Sequence, residues 1–389
     1  MSLTLEPLLE AATQQTGLSD FGDPAFRDPL VVLLDSIDRD AALNGLGEMA
    51  APAMIQESLV NRLQLVDTWK RHPEIGDGQI RRPIVIVGLS RTGTTALHAL
   101  LAADPAHRTP LSWEVAFPCP PPEPAIHADD PRIVQTDDRI AMLHRIIPEF
   151  QAIHPQGARE PQECVAITAY EFMSVQFTST FRLDAYWNYL EAQGPARWAG
   201  VYGFHRRFLQ HLQWKCPGER WVLKSPGHLW SLDALLDAYP DAVIVQTHRH
   251  PAEVMASTAS LHAVLRSAYS DDIQPTAIGA EILRHFSRAI EQATRVRAQR
   301  PRDAQRFIDV YFRDFLADPL ACAGRLYEQL GLPYTDAVRT RLREHATANP
   351  KDRHGTHTYT LAEFGLTGDA VFEACRDYCE RFGFERPRK

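Results

Sequence analysis

The segment Gly88-Leu89-Ser90-Arg91-Thr92-Gly93-Thr94-Thr95 carries the clearest chemical signal in the chain. It follows Ile84-Val85-Ile86-Val87, a short β-branched run, and precedes ALHALLAADP, a helical stretch ended by Pro105. Strand, small-residue loop and helix in that order turn consecutive main-chain N–H groups, and the positive end of the helix, toward one point, which makes an anion cradle. The two glycines have the spacing of GxxxxGK[ST], but Thr94 stands where that motif has lysine, and the basic residue, Arg91, lies earlier. Nucleoside-triphosphate hydrolysis relies on that lysine at the terminal phosphates and on Mg²⁺ at the next hydroxyl, so its loss argues against such hydrolysis.

The elements around this loop predict an α/β fold. Arg220-Trp221-Val222-Leu223-Lys224, DAVIVQTHR at 241–249 and RFIDVYF at 306–312 read as further strands. SLDALLDAYP, PAEVMASTASLHAVL, a long stretch around 276–299 and DPLACAGRLYEQLGL read as the helices between and after them. Such alternation implies a parallel sheet flanked by helices, P-loop-like in its first turn. Residues 1 to about 75 show helical spacing and no strand signal, so we expect a helical N-terminal extension over 1–78 and an α/β domain over 79–389. Within the latter, 116–135 is a proline-rich loop and 136–215 a helical, aromatic-rich insert. GDAVFEACRDYCERFGF reads as one closing helix, with Cys375 and Cys379 one turn apart on a packed face rather than as metal ligands.

Composition narrows the function classes. The chain has 389 residues, 44% hydrophobic and 23% charged, ordinary for a folded protein of two or three domains or one large domain with additions. No apolar run is long enough to span a membrane, and the opening residues do not read as a signal peptide. With 41 basic against 49 acidic residues the net charge is −8, which disfavours nonspecific binding to nucleic acid or to an anionic membrane. An anionic ligand must therefore meet a local basic cluster. The loop Pro350-Lys351-Asp352-Arg353-His354-Gly355-Thr356-His357-Thr358-Tyr359 is one such concentration. The six cysteines form no CxxC pair and read as reduced thiols in a cytoplasmic protein.

Arg91-Thr92-Gly93-Thr94-Thr95 after a strand resembles the 5′-phosphosulfate loop of the sulfotransferase superfamily, which uses 3′-phosphoadenosine 5′-phosphosulfate (PAPS). Arg at the first place is similar to the bacterial and tyrosylprotein-type branches. The resemblance extends to Arg249 at a strand end and Ser257 eight residues on, which in the family hold the donor's 3′-phosphate. A planar guanidinium fork and a neutral hydroxyl suit that task. Arg353-His354-Gly355 looks like the family's late Arg-Lys-Gly loop over the nucleotide. Where members often have Tyr-Glu-Asp after the fourth strand, this chain has Phe312-Arg313-Asp314, so no tyrosine role is carried over.

The resemblance implies transfer of a sulfuryl group to a hydroxyl or amine of a small, partly apolar acceptor, with 3′,5′-adenosine bisphosphate as product and no metal. Arg91, Thr92, Gly93, Thr94 and Thr95 would bind the phosphosulfate, with Arg91 and Lys224 stabilising charge as the bond to sulfur breaks. Two residues are candidates for the base that takes the acceptor's proton. Glu114 follows the cradle helix and the next strand-like segment, where related bacterial enzymes place a glutamate. His228 lies four residues after Lys224, although the family's Lys-Thr-His pattern is broken here by Pro226. Two other readings stay open: a small-molecule P-loop kinase using ATP, and a catalytically silent nucleotide-binding module.

Overall fold

Five short strands form one parallel sheet: β1 (Ile84–Val87), β2 (His107–Arg108), β3 (Arg220–Lys224), β4 (Val243–His248) and β5 (Phe307–Tyr311). Their order is β2-β3-β1-β4-β5, so the strand that precedes the cradle is central. β1 pairs Ile86 with Lys224 on one side and Val87 with Gln246 on the other. β4 in turn pairs Gln246 with Asp309 and His248 with Tyr311. The structure, a computed structural model, describes residues 3–153, 156–349 and 359–387.

All four residues of β1 are buried, as expected of a strand covered on both faces. Ile84 and Ile86 share one face with Val222, Val245, Ile308 and Val310. They pack there with Leu97, Leu100 and Leu101 of the helix Thr94–Ala102 and with Leu326 and Leu330 of the helix Pro319–Leu330. This packing fixes the direction of the cradle helix relative to the strand that feeds it.

The chain divides into two compact units. The sheet lies in the unit made of Arg81–Thr109, Gly218–Leu261 and Gln274–Lys389. The other unit combines Met1–Ile80, Pro110–Pro217 and His262–Ile273, and its long elements are helices, among them Leu5–Thr16, Arg27–Asp40, Gly45–Arg71, Pro131–Ile146 and Pro195–Gln213. The expected helical character of residues 1–75 and of the insert is therefore present. Most of the insert's aromatic side chains pack in this unit's interior: Phe172, Tyr186, Trp187 and Phe208 are fully buried. Arg62 is buried with them, paired with Glu171 and held over the ring of Phe26 at 4.3 Å.

Some expected boundaries shift. The proline-rich loop ends early, because Asp130 caps a helix that starts at Pro131 by accepting from the Arg132 N–H. The expected single closing helix is two, Gly368–Ala374 and Arg376–Phe382, separated by the non-helical backbone of Cys375. Cys375 and Cys379 are both fully buried. The helix Asp336–Ala348, which the sequence reading did not single out, follows the sheet, its Leu342 packed into the sheet core.

Candidate active site

The loop after β1 depends on two glycines. Gly88 has φ 150°, and a Cβ there would lie 2.3 Å from the Thr247 hydroxyl at the end of β4. Gly93 caps the following helix with φ 86°, and a Cβ there would lie 2.9 Å from the ring of Phe312. Side chains would strain both positions. Between them Arg91 also adopts a left-handed conformation, with φ 68°, rare outside glycine. The Thr92 hydroxyl donates to the Leu89 carbonyl at 2.6 Å and therefore accepts from Thr247, also at 2.6 Å. The loop is thus closed on itself and tied to β4. Thr94 is buried, whereas Thr95, in the first turn of the helix, is exposed.

Cationic groups gather beside this loop. Arg91 Nε donates to Ser257 Oγ at 3.0 Å, and a guanidinium nitrogen of Arg249 donates to the Arg91 carbonyl at 3.0 Å. The Arg249 guanidinium also lies 4.5 Å above the ring centre of Phe312, and its Nε donates to Glu253 at 2.8 Å. Burial lowers the Arg91 pKa from its ordinary value, and the charge of Arg249 lowers it further, against a raising influence from Tyr359. Two guanidinium groups held so close favour a bound anion, which would offset both the burial and the mutual repulsion. Lys224, 1% exposed at the end of β3, donates from Nζ to Thr95 Oγ1 at 3.1 Å. Among the described residues, no cluster of His, Cys, Asp and Glu has the make-up of a metal site.

The two base candidates lie in different settings. His228 is buried in the turn Pro226–Ser231, which directly follows Lys224 and Ser225. It belongs to the same unit as the cradle. Glu114 belongs to the helical unit and is fully buried. One of its carboxylate oxygens accepts from the Leu111 N–H at 3.0 Å, and the other lies 3.0 Å from His127 Nε2. Both oxygens are therefore fixed in direction.

The structure thus brings Arg91, Thr92, Gly93, Thr94, Thr95, Lys224, Arg249 and Ser257 onto neighbouring strands and loops of one unit. Arg353, His354 and Gly355 lie outside the described residues. Three participants escaped sequence reasoning, Thr247, Glu253 and His127, and Phe312 was marked only as standing where the family often has a tyrosine. Only Glu253 had a local signal, since it lies four residues after Arg249 at the start of a helix, where the two side chains face each other. The others meet the motif residues through the fold alone.

A parallel sheet with a glycine-dependent loop after its central strand, flanked by Lys224 at the end of β3 and Arg249 just after β4, is an arrangement suited to holding an anionic group. Residues 83–336 match the Sulfotransferase family, and the chain belongs to it. Sulfotransferase STF1 from Mycobacterium tuberculosis H37Rv is 36% identical, covers 96% of this chain and 98% of its own, and superposes with a TM-score of 0.85. Sulfotransferase STF9 from Mycobacterium avium is 27% identical over 100% of this chain and 99% of its own, with a TM-score of 0.87. Omega-hydroxy-beta-dihydromenaquinone-9 sulfotransferase Stf3 from Mycobacterium bovis is 25% identical over 317 residues, 78% of this chain and 76% of its own. The chain is accordingly a bacterial-type sulfotransferase with the α/β fold expected of it, and among its described residues no helix is long and apolar enough to cross a membrane.

Proposed function

We propose that this sulfotransferase takes its sulfuryl group from PAPS and passes it to a hydroxyl of a small, partly apolar acceptor in the cytoplasm. The observation that carries the donor reading is the convergence of Arg91, Arg249 and Ser257 beside a glycine-dependent loop in an acidic chain. These residues fit a ligand with two separate anionic ends. Main-chain N–H groups and hydroxyls at 92–95 suit the phosphosulfate, while Arg249 and Ser257 suit the 3′-phosphate. A hydroxyl acceptor is favoured because the related Stf3 is named for a hydroxylated one.

Bound PAPS supplies an activated sulfuryl group whose departure leaves charge on a phosphate oxygen. Arg91 and Lys224 are the groups proposed to stabilise that charge. Glu114 is proposed as the base that accepts the acceptor's proton, with His228 as the alternative. A fixed carboxylate suits the task, since its oxygens need not reorganise as the proton moves.

The reading is tested by calorimetric titration with 3′,5′-adenosine bisphosphate and with ATP·Mg²⁺, and by transfer of ³⁵S from labelled PAPS to a panel of alcohols and phenols. Binding of the bisphosphate together with transfer is expected. Preference for ATP·Mg²⁺ would favour the kinase reading, and bisphosphate binding without turnover of any acceptor the silent module.

A further inference from the structure

Arg249 is gripped on both sides by a segment remote in sequence. The preceding residue, His248, ends β4 and is buried against the helix Arg376–Phe382. Its ring stacks on Phe382 at 4.0 Å between centroids, and its Nδ1 lies 3.1 Å from the Tyr378 hydroxyl. The following residue, His250, places Nε2 2.9 Å from the Glu385 carbonyl and its ring edge-on to Phe384.

The polarity of this network is internally consistent. His248 Nε2 faces a carboxylate oxygen of Asp309 at 2.9 Å, and a carboxylate only accepts, so Nε2 carries the proton. Nδ1 of the neutral ring is then an acceptor, and the Tyr378 hydroxyl donates to it. Asp309 is fixed from its other side by Arg297 at 2.6 and 3.1 Å, and Arg297 also donates to Gln246 of β4 at 2.8 Å. Glu291 anchors the helix by accepting the Tyr378 N–H at 3.1 Å. Together these contacts fix the backbone on either side of Arg249, from which its side chain extends.

We infer that Tyr378 and the segment through Glu385 are a positioning element for the donor's 3′-phosphate: they hold the Arg249 main chain so that its guanidinium is aimed before the ligand arrives. The inference rests on the PAPS reading above. Pre-aiming a long, flexible side chain removes an ordering cost that binding would otherwise carry. The effect should be greatest for the 3′-phosphate, because the cradle at 91–95 has its own tie to β4 through Thr92 and Thr247 besides the donation from Arg249 to the Arg91 carbonyl.

The test uses the full chain with Tyr378→Phe and, separately, His250→Ala. Titration compares 3′,5′-adenosine bisphosphate with adenosine 5′-phosphosulfate, which lacks the 3′-phosphate. Loss of a single buried hydrogen bond should weaken bisphosphate binding about tenfold in Tyr378→Phe. His250→Ala should weaken it in the same direction by a smaller factor, with adenosine 5′-phosphosulfate affinity changed less than bisphosphate affinity in both. Equal loss of both ligands, or unchanged bisphosphate binding in both variants, overturns the inference. A parent protein that prefers adenosine 5′-phosphosulfate over the bisphosphate overturns the donor reading instead, and this inference with it.

Discussion

Arg91 Nε and Ser257 Oγ meet at 3.0 Å, joining the loop after β1 to the helix after β4 across 166 residues of sequence. Two motif residues assigned to opposite ends of one nucleotide are thus in direct contact. Arg91 can answer to both anionic ends, and Ser257 orients it. Replacing Arg91 by Ala should lower bisphosphate affinity more than replacing Ser257 by Ala. The Ser257→Ala loss should be about two- to tenfold, the worth of one neutral hydrogen bond. Calorimetric titration of the two variants checks the order.

Lys224 is buried and reaches the exposed first turn of the cradle helix through Thr95. The proposed role of Lys224 is to act on charge that develops during transfer more than on the resting donor. Lys224→Met, which keeps the length and apolar stem, should reduce kcat by about 10²–10³, or roughly 2.7–4 kcal/mol. Bisphosphate affinity should change little. Single-turnover transfer from labelled PAPS, measured beside titration, separates the two effects.

Glu114→Gln keeps the shape of a fully buried side chain while removing its basicity. If Glu114 takes the acceptor's proton, turnover should fall by about 10²–10⁴ with donor binding retained. His228→Ala should then leave turnover within an order of magnitude of the parent. The reverse pattern would assign the proton to His228. Melting curves accompany both variants, because Glu114 also accepts from the Leu111 N–H.

Acid should loosen the network behind Arg249. Burial lowers the His248 pKa below 6.5, so the unfolded chain takes up that proton first and stability falls as pH drops below 6.5. For Asp309, burial pushes the pKa up, but hydrogen bonds from His248 and Arg297 outweigh it and hold the carboxyl below its ordinary 3.8. That contribution is complete above 3.8 and is lost as pH falls further. Melting temperature should therefore decline from pH about 7 to about 3, and Asp309→Asn should flatten the lower part of the decline. A melting temperature independent of pH over that range would contradict the assignment.

The strands and the cradle were legible because their causes are local. Ile84 to Val87 is β-branched and uninterrupted, and the glycines at 88 and 93 stand where the backbone turns through conformations that side chains resist. The helix split at Cys375 was not legible, since GDAVFEACRDYCERFGF has helical spacing throughout. The break accompanies the docking of Tyr378 and Phe382 on His248. Lys224 could equally have been a solvated strand end, and only its place beside β1 buries it.

By itself the sequence determined the class of element at each place, the order of the motifs and the chemical types available to meet an anion. The tertiary structure decided which groups meet. Thr92 finds Thr247 across 155 residues, and His248 finds Tyr378 across 130, because β4 lies beside β1 and a distant helix closes over the end of β4. Backbone preference acts over a few residues, whereas the convergence of side chains depends on strand order and register, which emerge only when the whole sheet is assembled.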